Sequence, residues 1–395
     1  MSAPVKAAPG VMLGNEIRSE WTLDWTKLTV NHGAFGATPR RVLAAQVEWR
    51  DRMEAQPSQF MRLILPEARR HAADKLGQFV GAAGRDIAFV HNATDGCNAV
   101  LRSLDLQPGD EILLHSHIYG AVGNAARFAA QRSGARIVTI DLAFPTDETE
   151  SLVERVAAAI TPNTRLVIMD HVTSPSALLL PVERIAAVCR QANTAFLIDG
   201  AHGPGQIDVD LTAIGADWYV GNCHKWLAAP KGCGFLWSRS ERQANLHPTT
   251  ISHGYEAGYL AEFDWTGTQD PSALLSVPTA IDFHHWLGGA SLRERNRKLA
   301  HDAGTLIAEA LGTEVGNRGQ RVAMSMVRLP LGGEYSRERA NALRLRLLTE
   351  FQTDAPLQAH RDGIWLRLSA HAYNTLEDYE TLAGLCRRLV QTDQQ

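Results

Sequence analysis

The chain has 395 residues, of which 45% are hydrophobic and 21% are charged, as in an ordinary globular protein long enough for two domains. Its 39 Lys and Arg against 43 Asp and Glu give a net charge of −4, so no basic surplus favours nucleic acid. No apolar run is long enough to cross a membrane, and the first residues lack the pattern of a signal peptide. Five scattered cysteines without a CxxC pair favour a reduced, cytoplasmic protein with no metal site.

Helical and extended patterns alternate from about residue 40 to residue 285. Helical spacing predicts helices over 40–53 and 67–80, and DIAFVHN (86–92) predicts a strand followed by a helix that opens on a Thr94–Asp95 cap. The further predicted strands are EILLHSH, ARIVTIDL, TRLVIMDHV, TAFLIDGAH, ADWYVGN and GCGFLWSR. Helical patterns separate most of them, which predicts a largely parallel sheet covered on both faces.

The pattern changes after about residue 285. A long helix in SLRERNRKLAHDAGTLIAEAL precedes strands in RVAMSMVRLP and GIWLRLSAH and amphipathic helices in ERANALRLRLLTEF and LEDYETLAGLCRRLVQ. We therefore predict an α/β protein with a large domain at 41–285 and a smaller α+β domain at 286–395. Residues 1–40 would form an N-terminal arm that packs on the small domain.

Polar residues at the carboxyl ends of the strands are the first candidates for a site, because open α/β sheets bind ligands there. Asp199 ends TAFLID, where a carboxylate needs a cationic partner or solvent, although a cap or turn is an equal alternative. Thr94 and Asp95 begin a helix whose N–H groups suit an anion, although an ordinary N-cap is the simpler explanation. His115 and His117 would share one face of a strand, but without a third ligand no metal site is predicted.

Lys225 stands in GNCHKW between two apolar strands. A loop lysine is usually solvated, but a desolvated lysine has a pKa below its usual value of about 10.4 and can act as an amine nucleophile. Pyridoxal 5′-phosphate (PLP) chemistry requires such an amine, a carboxylate for a protonated ring nitrogen, a helix start for a phosphate and aromatic rings for stacking, and this sequence offers all four. A nicotinamide-dependent oxidoreductase is disfavoured, since no strand is followed by GxGxxG with an acidic residue about 20 residues on.

The segment DGAHGPGQIDVDLTAIGADWYVGNCHKWLAAPKGCGFLW (199–237) resembles the signature region of the class V aminotransferase family of fold type I PLP enzymes. The similarity extends from about NHGAFGATP (31–39) to LRLSAHAYNT (366–375), and NHGAFGATP with HIYGAV (117–122) is most similar to the isopenicillin N epimerase-like branch. The resemblance implies the PLP-dependent transferase fold, PLP as cofactor and an amino-acid substrate. It also implies a homodimer with its active sites at the subunit interface.

By the same resemblance, Lys225 would form the Schiff base, Asp199 would pair with the pyridinium nitrogen and His202 would hydrogen-bond the phenolate oxygen. The phosphate would be held by Ala93, Thr94, Asp95, Asn222 and His224, and Thr268 would reach the phosphate of the neighbouring subunit. The ring would stack on Tyr119, as relatives of this branch suggest, or on His117, as the cysteine desulfurase branch suggests.

The resemblance further implies that Arg367 binds the substrate carboxylate by a bidentate pair, with Asn31 and His32 near the substrate. Ser174 occupies a position where relatives often carry an asparagine near the ring, and this departure leaves its contribution open. Lys225, once released from the cofactor, would act as the base at Cα.

Several reactions at Cα fit this set. A persulfide-forming desulfurase needs a cysteine shortly before the carboxylate arginine, and TDAPLQAHRDGIWLR has none. We expect an epimerase or racemase first, a C–S or other β-lyase second and an aminotransferase third. Epimerisation needs a second acid, for which His32, His117 and Tyr119 are candidates. A PLP-binding regulator without turnover is disfavoured, because it would need neither the base nor the carboxylate clamp.

Overall fold

Seven strands form one large sheet in the structure, a computed structural model that describes residues 11–146 and 149–393. They are β1 (Ile87–Val90), β2 (Glu111–His115), β3 (Arg136–Ile140), β4 (Thr164–Asp170), β5 (Ala195–Gly200), β6 (Trp218–Asn222) and β7 (Gly234–Ser238). Their order is β1-β7-β6-β5-β4-β2-β3, and β7 runs in the opposite direction to the other six strands. The predicted, mostly parallel sheet is therefore confirmed.

Helices cover both faces of this sheet. In chain order they are α1 (His32–Phe35), α2 (Arg40–Ala55), α3 (Pro57–Gln59), α4 (Leu65–Val80), α5 (Ala93–Ser103), α6 (Gly120–Ser133), α7 (Ser151–Ala159), α8 (Val182–Gln191), α9 (Leu211–Ile214), α10 (Tyr259–Asp264), α11 (Ser272–Leu275) and α12 (Val277–Trp286). One core cluster joins the sheet to α4, α7, α8 and α12, and another joins it to α5, α6 and α10. Every residue of β2, β5, β6 and β7 is buried, which explains why these strands are apolar without alternation.

A second, antiparallel sheet follows in the C-terminal part. It contains β8 (Met324–Arg328), β9 (Leu357–His360) and β10 (Gly363–Ser369) in the order β8-β10-β9, packed with α13 (Ala290–Leu311), α14 (Arg337–Glu350) and α15 (Leu376–Asp393). Sequence patterns missed β9, because four residues give too short a pattern to distinguish a strand from a loop. Pairing with β10 is what defines this strand.

The segment 11–40 packs on both parts of the chain. Gly14 N–H donates to the Ala372 carbonyl at 2.8 Å, and Ser369 N–H donates to the Val30 carbonyl at 2.7 Å. Trp21, however, belongs to the core cluster of the large sheet. The predicted arm at 1–10 lies outside the described residues, and the domain limits at 40 and 285 stay a prediction. Within 11–146 and 149–393, no helix is long and apolar enough to cross a membrane.

Candidate active site

Lys225 lies in the loop between β6 and β7, at the carboxyl end of β6. Its Nζ is 3.1 Å from His202 Nε2. Burial lowers the pKa of Lys225 from 10.5 to about 8, while the Asp199 carboxylate opposes this shift and the Arg367 guanidinium adds to it. The loop thus presents an amine that is largely withdrawn from water and faces both charged groups.

His202 is fixed by its neighbour on the other side. Trp226 Nε1 donates to His202 Nδ1 at 3.2 Å, so Nδ1 is the acceptor and the neutral ring carries its proton on Nε2. Burial lowers the pKa of His202 well below its ordinary value, with further contributions from Lys225 and Arg367. His202 can therefore donate from Nε2 to the Lys225 amine when that amine is neutral.

Asp199 is the next-to-last residue of β5 and is buried. One of its oxygens accepts the Ala201 N–H at 2.9 Å. Burial and the neighbouring Asp170 raise the pKa of Asp199 to about 7, against the opposing effects of the Ala201 N–H and Lys225. At neutral pH this carboxyl group would ionise fully only beside a further cation, as expected for a partner of a protonated ring nitrogen.

Helix α5 begins directly after β1, but its cap differs from the predicted one. Asn92, and not Thr94 or Asp95, is the N-cap: its side chain accepts the Asp95 N–H at 2.9 Å. The Ala93 N–H donates to Asn222 Oδ1 at 2.8 Å. Among the described residues, the Thr94 N–H and hydroxyl have no hydrogen-bond partner, so they are the donors left open at this helix start.

The two other predicted phosphate contacts are engaged elsewhere. The Asp95 carboxylate accepts from the Thr249 hydroxyl at 2.8 Å and contacts the His91 ring at 3.2 Å. His224 Nδ1 donates to the Cys233 carbonyl at 2.9 Å, so neutral His224 has only an acceptor at Nε2. His224 could donate to a phosphate only in its protonated form, although burial lowers its pKa.

Arg367, on β10, reaches across to the large sheet and is buried. Its Nη1 donates to the carbonyl and hydroxyl of Ser174 at 2.7 and 3.0 Å, and its Nη2 donates to Asn31 Oδ1 at 3.3 Å. Its Nε is buried without a partner, and burial lowers its pKa to about 10. Ser174 therefore has a definite contact in the structure, because it accepts from Arg367 and orients its guanidinium.

His32 has both ring nitrogens engaged by the protein. Its Nε2 donates to the Lys225 carbonyl at 3.0 Å, and its Nδ1 accepts from the Tyr373 hydroxyl at 2.9 Å. Its ring also stacks on His371 with centroids 3.7 Å apart. Both ring nitrogens are therefore occupied, which leaves His32 to hold the backbone of the Lys225 loop.

The two candidates for stacking lie in the turn between β2 and α6. The strand ends at His115, so the prediction that His117 shares a strand face with it is wrong. His117 Nδ1 is 2.8 Å from Ser176 Oγ and its ring contacts Phe144. Tyr119 is 42% exposed, its hydroxyl is close enough to raise the pKa of Arg367, and its N–H faces the Asp170 carboxyl.

Thr268 lies apart from these residues, on an exposed stretch between α10 and α11. The same stretch borders a cavity of about 340 Å³ lined by Asp95, Thr249, Thr266 and Gln269. The cavity therefore connects the start of α5 with the segment around Thr268.

Sequence analysis missed Asp170 and considered His115 only as a metal ligand, although both are buried titratable residues beside Asp199. Asp170 is the last residue of β4, Asp199 is the next-to-last residue of β5, and His115 Nε2 is 2.8 Å from Asp170 Oδ2. The signal was present, because TRLVIMD repeats the pattern of TAFLID. No group of three or more possible metal ligands occurs within the described parts of the chain.

The donor set fits PLP. The amine of lowered pKa matches the aldehyde of that cofactor, and the carboxyl group of raised pKa matches its ring nitrogen. The N–H donor at His202 Nε2 matches the phenolate, and the open donors at Thr94 match the phosphate. The unpartnered Nε of Arg367 fits an additional carboxylate.

Comparisons with known proteins agree with this chemistry. The chain is 33% identical to isopenicillin N epimerase from Amycolatopsis lactamdurans over 393 residues, covering 94% of this chain and 97% of the relative. It is 32% identical to "Putative L-cysteine desulfhydrase 1" from Oryza sativa subsp. japonica over 399 residues, covering 91% and 83%.

Solved structures share the fold. The apo cysteine desulfurase from Thermococcus onnurineus NA1 matches with a TM-score of 0.80 at 18% identity, covering 98% of this chain and 100% of that one. A C-DES variant with glycine covalently linked to its PLP cofactor matches with a TM-score of 0.75 at 23% identity, covering 91% and 96%. The family model described as Aminotransferase class-V matches residues 33–382, so the chain belongs to this family of PLP-dependent enzymes.

Proposed function

We propose that this PLP-dependent enzyme removes the Cα proton of an amino acid held by Arg367 and returns it, as an epimerase or racemase. The observation that carries the proposal is the charge arrangement around Lys225. The Asp199 carboxylate and the Arg367 guanidinium both act on its amine, the first raising and the second lowering its pKa. This arrangement supports a base and a carboxylate clamp in one site.

When bound, PLP withdraws electrons from the bonds at Cα of the attached amino acid. Asp199 would keep the ring nitrogen protonated, and Arg367 would orient the substrate carboxylate with its Nε and Nη groups. Lys225 would take the Cα proton. Its pKa of about 8 leaves a useful neutral fraction near pH 7, whereas an ordinary lysine is almost fully protonated there.

Return of the proton on the opposite face needs a second acid, and Tyr119 is the best of the three candidates. Both nitrogens of His32 are occupied, and His117 is bound to Ser176 and has its pKa lowered to about 3 by burial. Tyr119 interacts electrostatically with Arg367, and its side chain is partly exposed. Tyr119 would therefore donate to the substrate face that Lys225 does not reach.

A C–S lyase is the second candidate. Such an enzyme needs Lys225 and Arg367 but no second acid and no reactive cysteine. All five cysteines of the chain are buried, which disfavours persulfide transfer through a cysteine while leaving direct elimination open. The similarity to a protein named as an L-cysteine desulfhydrase supports this alternative.

One experiment separates the candidates: incubation of the purified enzyme with a panel of L-amino acids in deuterated water, followed by NMR. Deuterium at Cα with inversion supports the epimerase, and Tyr119→Phe should then lose inversion but keep exchange. Release of pyruvate with sulfide or ammonia supports the lyase, and formation of a keto acid with the pyridoxamine form supports an aminotransferase. A colourless protein that gains no visible band with added PLP, or full turnover in Lys225→Ala, contradicts the proposal.

We also propose that the enzyme is a homodimer whose partner subunit completes the phosphate site. Thr268 and the cavity beside α5 lie on the surface, and Phe35 and Leu63 are each 68% exposed although apolar. Light scattering that gives the mass of one chain at micromolar concentration would contradict this assembly.

A further inference from the structure

A second buried carboxyl group stands beside Asp199. Asp170 and Asp199 are registered partners on the parallel strands β4 and β5, so their side chains leave the sheet on the same face. Each is only 2% exposed. Two carboxylates held this close without water cannot both ionise, so the pair as a whole keeps a proton at neutral pH.

His115 indicates where this proton lies. Its Nε2 is 2.8 Å from Asp170 Oδ2, and the backbone N–H of Asp170 points at the same nitrogen from 3.3 Å. A ring nitrogen that receives an N–H is an acceptor, so the proton between His115 and Asp170 comes from the carboxyl group. The Tyr119 N–H faces the same carboxyl group and anchors it to the turn before α6.

The other groups around the pair agree with a single negative charge. Lys225 is the cation that acts on both carboxyl groups. Cys97 on α5 and Tyr219 on β6 face the cluster as neutral groups, because burial and the nearby carboxylates raise their pKa values. Burial keeps His115 neutral as well, with its pKa lowered to about 3.

We propose that Asp170 holds its proton against His115 throughout the reaction and so forces the negative charge onto Asp199. Asp170 and His115 are then positioning residues: they touch no substrate but fix the charge state of the carboxylate that faces the ring nitrogen. An ionised Asp170 would instead compete with Asp199, which would take up the proton and lose its attraction for the ring. The inference rests on the proposed pairing of Asp199 with that nitrogen.

Infrared spectroscopy of the cofactor-free protein tests the proton directly. At about pH 9, above the pKa of Asp199, exposed carboxyl groups are ionised. The wild type should still show the absorption of a protonated carboxyl group, sensitive to deuterium. Asp170→Asn should remove it. Asp110→Asn is the matched control, because Asp110 is a buried carboxylate paired with Arg165 at 2.8 Å, and it should leave the band in place. A wild type without the band, or a band that persists in Asp170→Asn, overturns the proposal.

Affinity for PLP gives a second readout. Asparagine copies a protonated Asp170, since it can donate to His115 and accept from the Tyr119 N–H. The dissociation constant of PLP in Asp170→Asn should therefore stay within about twofold of the wild type, while Asp199→Asn should weaken binding at least about tenfold. A larger loss in Asp170→Asn means that Asp170 is charged in the native protein. A wild type that binds no PLP refutes the proposed function instead, and the infrared result still decides this inference.

Discussion

Replacing Lys225 with methionine should stabilise the cofactor-free protein while abolishing turnover. Burial moves the pKa of this lysine from 10.5 to about 8, so folding at neutral pH forces a charge into an unfavourable site. A full displacement of this size costs about 3 kcal/mol, and loss of the polar contact between Lys225 Nζ and His202 Nε2 offsets about 1 kcal/mol of the gain. Methionine fills the space of the lysine stem. The net gain should be about 2 kcal/mol at pH 7.

The stabilisation by Lys225→Met should depend on pH in one direction. The folded pKa lies below the unfolded one, so the destabilisation by Lys225 is fully present below about pH 8 and disappears as the pH rises towards 10.5. Lys225→Met should therefore lose most of its advantage by about pH 9.5. Urea unfolding at fixed protein concentration measures both values.

The matched control is Lys298→Met. Lys298 has a side chain that is 72% exposed and pairs with Asp302 on the surface of α13. Its replacement should change the free energy of unfolding by no more than about 1 kcal/mol. A Lys225→Met protein that is no more stable than the wild type at pH 7, with a difference that does not change with pH, would refute the reasoning.

Three further predictions concern the cofactor and substrate contacts. Asn222→Ala removes the acceptor of the buried Ala93 N–H, so it should cost about 1–3 kcal/mol of stability and weaken PLP retention. Urea unfolding measures the stability, and the visible absorption band of bound PLP measures the retention. Unchanged values would mean that this contact is dispensable. Gly36→Ala should disrupt the folded Lys225 loop and thus abolish the visible band of bound PLP. The reason is that φ of Gly36 is +67° and a Cβ there would lie 1.9 Å from the His224 carbonyl oxygen. A stable variant that is fully loaded with PLP would contradict this. Arg367→Lys keeps the positive charge but loses the bidentate guanidinium geometry, so KM for amino acids should rise about tenfold or more with a smaller change in kcat. An unchanged KM would exclude Arg367 as the group that binds the substrate carboxylate.

Much of the fold follows from local pattern. The apolar runs of β4 and β5 and the amphipathic spacing of α4 and α13 are strong because both faces of the sheet and one face of each helix must be buried. The four-residue strand β9 was missed, since only its ladder with β10 distinguishes it from a loop. The cap of α5 was assigned to the wrong residue, because Asn92, Thr94 and Asp95 are all residue types that favour caps.

The sequence alone determined the segment around Lys225 that is typical of class V aminotransferases. It also determined the positions of Asp199, His202 and Arg367 along the chain. The tertiary structure decided which polar atoms these residues meet. It bound His32 to the Lys225 carbonyl, joined Ser174 to Arg367 across 193 positions of sequence, and brought His115 and Asp170 together beside Asp199. Side-chain chemistry is local, but charge state and hydrogen-bond direction depend on neighbours contributed by other strands. Only the packed sheet defines those neighbours.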